Sequence, residues 1–207
     1  SRKCAPKKQR AMTETDKNNE RLGVWLVGAR GAISTCVAYG LAGLIEGLIE
    51  PVGMCTETEA LSALELCALD DIVLGGCDVC DRSLTESAAE LERQGVLSAA
   101  LITGAARRAT AYEERIVPGL LDPADGTPVS ADPESERLGS LPSDEQVAAI
   151  PAALESFREG AGVSRVVVVN LASSEAQRAG SASWESLAAF EAAISAGEPQ
   201  PASVLYA

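Results

Sequence analysis

Early in the chain a strand-length apolar run, Leu22-Gly-Val-Trp-Leu-Val27, is followed by Gly28-Ala-Arg-Gly31 and then by a helix-length apolar pattern. No other feature narrows the fold so far. The run is short and rich in β-formers, as expected of a strand buried on both faces. From Ala32 to Ile49, Val37, Leu41, Leu44, Ile45 and Leu48 recur at helical spacing, and Pro51 ends the pattern.

The alternation continues. Val52–Thr56 fits a second strand, and Asp71-Ile-Val-Leu74 reads as a third, stopped by Gly75 and Gly76. An amphipathic helix is expected over Ser83–Gln94, ending at Gly95, while Val96–Thr103 suits strand or helix equally. Pro118–Ser143 is rich in Pro, Gly, Asp and Ser and reads as a long excursion. Ser143 is placed to cap a helix over Asp144–Glu159, with Gln146 at the capping-box position. Arg165-Val-Val-Val-Val-Asn170 is the clearest strand, and Trp184–Ala196 is helical. Strands alternating with helices predict an α/β fold, a doubly wound parallel sheet with helices on both faces.

Composition excludes several functions. The 207 residues are 46% hydrophobic, enough for one domain with a real core and too many for wholesale disorder. Six cysteines in a chain of this length are not the pattern of a small disulfide scaffold. The chain has no histidine, which removes His-dependent triads, His-ligated zinc and His general bases. A net charge of −13 argues against a nucleic-acid surface. That charge is uneven: residues 1–21 hold seven basic against three acidic side chains, and the remainder holds ten arginines against 27 acids. All four lysines lie at or before Lys17. Residues 1–20 are therefore expected to be a basic disordered tail, with the domain over 21–207. Beginning at Ser, the chain reads as processed, tagged or partial. A basic stretch before the apolar run Leu22–Ile45 has the outline of a signal anchor. Arg30 inside that run would cost about 2.5–3.5 kcal/mol at a membrane helix centre, and the Gly-Ala-Arg-Gly break divides it, so no membrane span is expected.

Ligands of such a sheet bind beyond the carboxyl ends of its strands, which singles out three loops. Gly28-Ala-Arg-Gly31-Ala-Ile-Ser34-Thr35 opens a helix and suits a pyrophosphate, although Arg30 and Ile33 replace two glycines of the usual dinucleotide pattern. The alternative is a plain tight turn. In Gly75-Gly76-Cys77-Asp78 the carboxylate suits cofactor hydroxyls, or equally a helix cap. Cys77 and Cys80 have redox or metal spacing, but without a second pair or a histidine no metal site is assigned. Asn170-Leu-Ala-Ser-Ser174-Glu175 allows close approach of a ligand, or simply caps its turn.

Taken together, Gly-Val-Trp-Leu-Val-Gly-Ala-Arg-Gly-Ala at 23–32, Gly-Gly-Cys-Asp-Val at 75–79 and Val-Val-Val-Val-Asn-Leu-Ala-Ser-Ser-Glu at 166–175 resemble the bacterial branch of the myo-inositol-1-phosphate synthase (inositol-3-phosphate synthase) family. The resemblance runs from Leu22 to Ala207 and is weakest over 104–143. It implies a Rossmann-like domain that ends before the family's catalytic and oligomerisation domain. It also implies an NAD-dependent isomerase that converts glucose 6-phosphate to an inositol phosphate by oxidation at C5, aldol closure of C6 onto C1, and reduction.

By the same resemblance, Gly28, Ala29, Arg30, Gly31, Ala32 and Ile33 form the pyrophosphate loop, and Asp78 contacts the adenosine ribose. Ala172, Ser173 and Ser174 lie beside the nicotinamide end, and Arg115 in Glu-Glu-Arg matches a cofactor-contacting arginine. Cys77 stands where relatives often have His. The family's catalytic lysines belong to a further domain, in keeping with the absence of Lys after Lys17, so no catalytic residue is assigned in this chain. A cytoplasmic, homo-oligomeric full-length enzyme is the expectation. The alternatives are a non-catalytic dinucleotide-binding module and another NAD(P)-dependent oxidoreductase.

Overall fold

A computed structural model describes residues 21–61, 63–64, 66–122, 131–172 and 179–206. The expected basic tail at 1–20 lies outside the described residues, as do Ser173 and Ser174. The strands are β1 (Leu22–Val27), β2 (Ile72–Asp78), β3 (Ile116–Pro118) and β4 (Arg165–Asn170). Between and after them run α1 (Ala32–Ile45), α2 (Leu84–Arg93), α3 (Ala99–Glu113), α4 (Pro133–Gly139), α5 (Ser143–Ala161), α6 (Leu187–Ser195) and α7 (Ala202–Leu205).

The sheet is wholly parallel in the order β3-β2-β1-β4. β1 is central, with Val27 level with Cys77 of β2 on one side and Asn170 of β4 on the other. The chain winds outward from β1 to β3 and then returns across β1 to β4. That reversal opens a crevice at the carboxyl ends of β1 and β4, where α/β sheets bind their ligands.

The strand period of two sends alternate residues of β1 to two different cores. Leu26 packs with Tyr39 and Ala42 of α1, Leu84 and Leu91 of α2, and Leu101 and Tyr112 of α3. Trp25 and Val27 pack on the other face with Val73, Cys77, Val163 and Phe157 of α5. The Trp25 and Phe157 rings lie 5.3 Å apart at 57°. Helices therefore cover both faces, as the alternation predicted.

Several local expectations are corrected. Val52–Thr56 is not a strand: it forms a turn and a 3-10 turn (Cys55–Glu57), and Val52, at 89% exposure, has no core to enter. The strand after α1 is β2, and Gly75 and Gly76 lie inside it rather than stopping it. A Cβ at Gly76 would stand 2.2 Å from the Leu26 carbonyl oxygen, and one at Gly75 would stand 2.5 Å from the Phe157 ring. Glycine is there because neighbours occupy the space, not because the strand ends.

Other element ends follow the caps. α1 ends at Ile45, short of Ile49, in a Schellman turn where Leu48 N–H reaches Gly43 O and Gly47 N–H reaches Leu44 O. The ambiguous Val96–Thr103 stretch enters α3, capped by Ser98 Oγ accepting from Leu101 N–H. The capping box expected at Ser143 is not formed, because Ser143 is already helical and its hydroxyl donates to Glu198 O. Gln146 donates instead to Gly139 and Leu141 carbonyls. A complete capping box sits at Ser83 and Glu86, at the start of α2. The excursion contains β3 and α4, and the segment 184–196 divides into a 3-10 turn (Ala182–Trp184) and α6. The apolar run Leu22–Ile45 is split between β1 and α1, and among the described residues no helix is long and apolar enough to cross a membrane.

Candidate functional site

The loop from β1 to α1 is held from beneath. Gly28 and Ala29 both donate their N–H groups to Cys77 O of β2, at 2.9 and 3.0 Å. Gly28 adopts φ +83°, and a Cβ there would lie 2.9 Å from Ala172 Cα, so the ends of β1 and β4 meet at this residue. Only glycine satisfies both conditions without strain.

Four consecutive loop carbonyls each receive a hydroxyl from the protein. Ser34 Oγ donates to Gly28 O (2.7 Å), Tyr112 OH to Ala29 O (2.8 Å), Ser87 Oγ to Arg30 O (3.0 Å) and Thr35 Oγ1 to Gly31 O (2.8 Å). The acceptors are thus engaged inside the protein. Gly31 supplies no side-chain cap to α1, and the first turn of α1 carries no acidic residue. The leading amides of a 14-residue helix and its positive dipole end are therefore left for an anion.

Asp78, 8% exposed, anchors this loop rather than a helix. Its Oδ2 accepts Arg30 N–H at 2.6 Å and its Oδ1 accepts Cys80 N–H at 2.9 Å. The cap of α2 is Ser83, so Asp78 is not a helix cap. Arg30 Nη1 donates to Cys80 O at 3.0 Å, while its buried Nε has no hydrogen-bond partner among the described residues. One guanidinium N–H is thus left unsatisfied at the loop.

These residues border a cavity of about 810 Å³ at the switch point, lined by Gly28, Arg30, Gly31, Ala32, Asp78 and Ala172. One helix face of α2 (Ser87, Glu90, Leu91, Gln94) forms a wall, and Leu120, Asn170 and Tyr206 close the far side. Ala29 is wholly buried beneath the loop, and Ile33 is 61% exposed outside the cavity. Arg115 is not brought here. It lines a second cavity of about 470 Å³ on the α5 face, and Cys77, Leu120 and Tyr206 border both.

Sequence reading missed the hydroxyls of Ser34, Thr35, Ser87 and Tyr112. Ser34 and Thr35 carried a signal, two adjacent hydroxyls directly after the glycine loop, both fully buried. Ser87 and Tyr112 carried none, because only helix packing brings them to the loop. Burial pushes the Cys77 thiol up and outweighs the opposing hydrogen bond with Tyr206 OH at 3.5 Å, which disfavours the thiolate that redox chemistry needs.

A parallel sheet wound on both faces, with a glycine-containing loop opening α1 at its switch point, makes this a Rossmann-like α/β domain. Residues 22–207 match the NAD-binding family model of myo-inositol-1-phosphate synthase, and the chain belongs to that family. The structure resembles that of inositol-3-phosphate synthase from Caenorhabditis elegans, with a TM-score of 0.67 at 16% identity, over 90% of this chain and 41% of that one. It also resembles a myo-inositol-1-phosphate synthase-related protein from Thermotoga maritima, with a TM-score of 0.59 at 19% identity, over 90% of this chain and 43% of that one. At these identities the likeness concerns the fold. The chain spans about two fifths of the length of those two structures. No curated protein matches the sequence.

Proposed function

We propose that this chain binds NAD at the β1–α1 loop and supplies the cofactor-binding part of an inositol-3-phosphate synthase acting on glucose 6-phosphate. The observation that carries the reading is the loop itself, its four carbonyls satisfied internally and the start of α1 uncapped. The donor set fits a pyrophosphate: helix amides, the free Nε of Arg30, and no carboxylate in the first turn of α1. Gly28, Arg30, Gly31 and Ala32 would hold the pyrophosphate. Asp78 retains lone pairs for a ribose hydroxyl, and Ala172, with Ser173 and Ser174 after it, would flank the nicotinamide. When bound, NAD supplies reversible hydride transfer, the chemistry that an internal oxidation and reduction of a sugar phosphate requires.

Deprotonation beside a ketone needs positioned bases, and residues 18–207 hold neither Lys nor His. The 207 residues alone should therefore make no inositol phosphate from glucose 6-phosphate.

Calorimetric titration with NAD tests the site. Gly31 has φ −65°, which any residue adopts, and a Cβ there would meet only Gly28 O, at 3.2 Å. Gly31→Val should keep the fold and lose NAD. Undiminished affinity in that variant would refute the loop assignment, and product formation by the chain alone would refute the placement of the chemistry elsewhere.

A further inference from the structure

We infer that the second cavity, between α5 and the β2–β3 side of the sheet, is a binding site for an alkyl carboxylate, its tail under α5 and its head at Arg115. The cavity holds about 470 Å³, within the size range of small-molecule pockets. Native interiors close such spaces tightly. Here α5 turns Ala149, Ala153, Gly160 and Ala161 toward the space, and only Ile150 and Phe157 on that helix bring bulk. Trp25, Val117 and Leu138 complete apolar walls, so the tail of a ligand meets few polar groups.

Charge selects the head. Arg115 is half-buried, and it donates to the Ala111 carbonyl without an ion pair among the described residues. Of the lining carboxylates, Glu134 is held by Arg137 through two hydrogen bonds and Glu114 is solvent-exposed. Among the described residues that line the cavity Arg115 is the one cation, and a carboxylate matches its planar fork. The cavity is separate from the one proposed for NAD, although Cys77, Leu120 and Tyr206 border both, and octanoate binding itself is read without NAD.

Calorimetry and tryptophan fluorescence on the full chain, with Trp184→Phe leaving Trp25 as the reporter and octanoate below its micelle concentration, read the binding directly. Saturable one-to-one binding is expected, with affinity rising about threefold to fourfold per methylene from hexanoate to decanoate. Octanol should bind at least tenfold more weakly than octanoate, and Arg115→Gln should remove that difference. Ala153→Phe, which fills the cavity from α5, should abolish binding while circular dichroism stays native; Ala149→Phe serves if that variant misfolds. Saturating NAD should leave octanoate affinity unchanged. No saturable binding, equal binding of octanol, indifference to Arg115→Gln, or displacement by NAD each overturns the inference. So does a concentration-dependent dimer in sedimentation that excludes octanoate, which would give the cavity to a second copy.

Discussion

The backbone N–H of Arg30 donates to Asp78 Oδ2 at 2.6 Å, a bond between the loop after β1 and the last residue of β2, 48 positions away in sequence. The same carboxylate accepts Cys80 N–H, so one side chain sets the shape of two loops that border the cavity. Asp78→Ala leaves two amides without acceptors. With charge-assisted bonds each worth about 1.5–3 kcal/mol, a loss of about 3 kcal/mol in urea unfolding is expected, together with weaker NAD binding in calorimetry. Weaker NAD binding at unchanged stability would mean that the carboxylate serves the ligand and not the loop.

Gly28 and Gly31 separate structure from ligand binding. At Gly28 an added Cβ meets the backbone of Ala172 at 2.9 Å in a left-handed conformation. Gly28→Ala should cost about 2 kcal/mol or more from backbone strain and the clash. Gly31→Ala, whose Cβ would meet only Gly28 O at 3.2 Å in an ordinary conformation, should cost clearly less than Gly28→Ala. Equal midpoints for the two variants would contradict the described loop.

Tyr112 tests the support of the loop from α3. Its hydroxyl, buried, donates to Ala29 O at 2.8 Å. Tyr112→Phe keeps the ring and orphans that carbonyl, with an expected cost of about 1–3 kcal/mol by chemical denaturation. The double variant with Ser87→Ala, which frees the next carbonyl, should show non-additive loss.

Alkaline pH should unfold the protein. The chain has three tyrosines, and in all three burial is the main cause that raises the phenol above its ordinary value, with Glu113 adding at Tyr39, Asp78 at Tyr112 and Cys77 at Tyr206. The folded state favours the neutral phenol. Its stabilisation is therefore complete below the unfolded value of about 10 and is lost as pH rises from there through the folded values. Phenolate absorbance should appear together with the loss of near-ultraviolet dichroism. Phenols titrating near pH 10 in an intact fold would show that they are solvated.

How much was legible depended on the range of the signal. The β1 run, the Val166–Val169 strand and the helix expected over Ser83–Gln94 depend on neighbours in sequence, and these elements stand where the pattern put them. Gly75 and Gly76 were misread as a stop because the Leu26 carbonyl and the Phe157 ring that demand them lie far away in sequence. Val52–Thr56 failed for the converse reason: its local pattern suggests a strand, but the segment stays outside the sheet with Val52 exposed.

At the site, sequence by itself determined the residue types at three strand ends: a glycine loop that can approach an anion, a carboxylate at the end of β2, and small residues after β4. It also determined that no lysine or histidine follows Lys17. Tertiary structure alone decided what those residues do. It turned Asp78 onto the Arg30 amide, brought Tyr112 and Ser87 from two helices to the loop carbonyls, and sent Arg115 to a separate cavity. The physical reason is that hydrogen bonds and packing act over a few ångströms in space, at chain separations that no local pattern records.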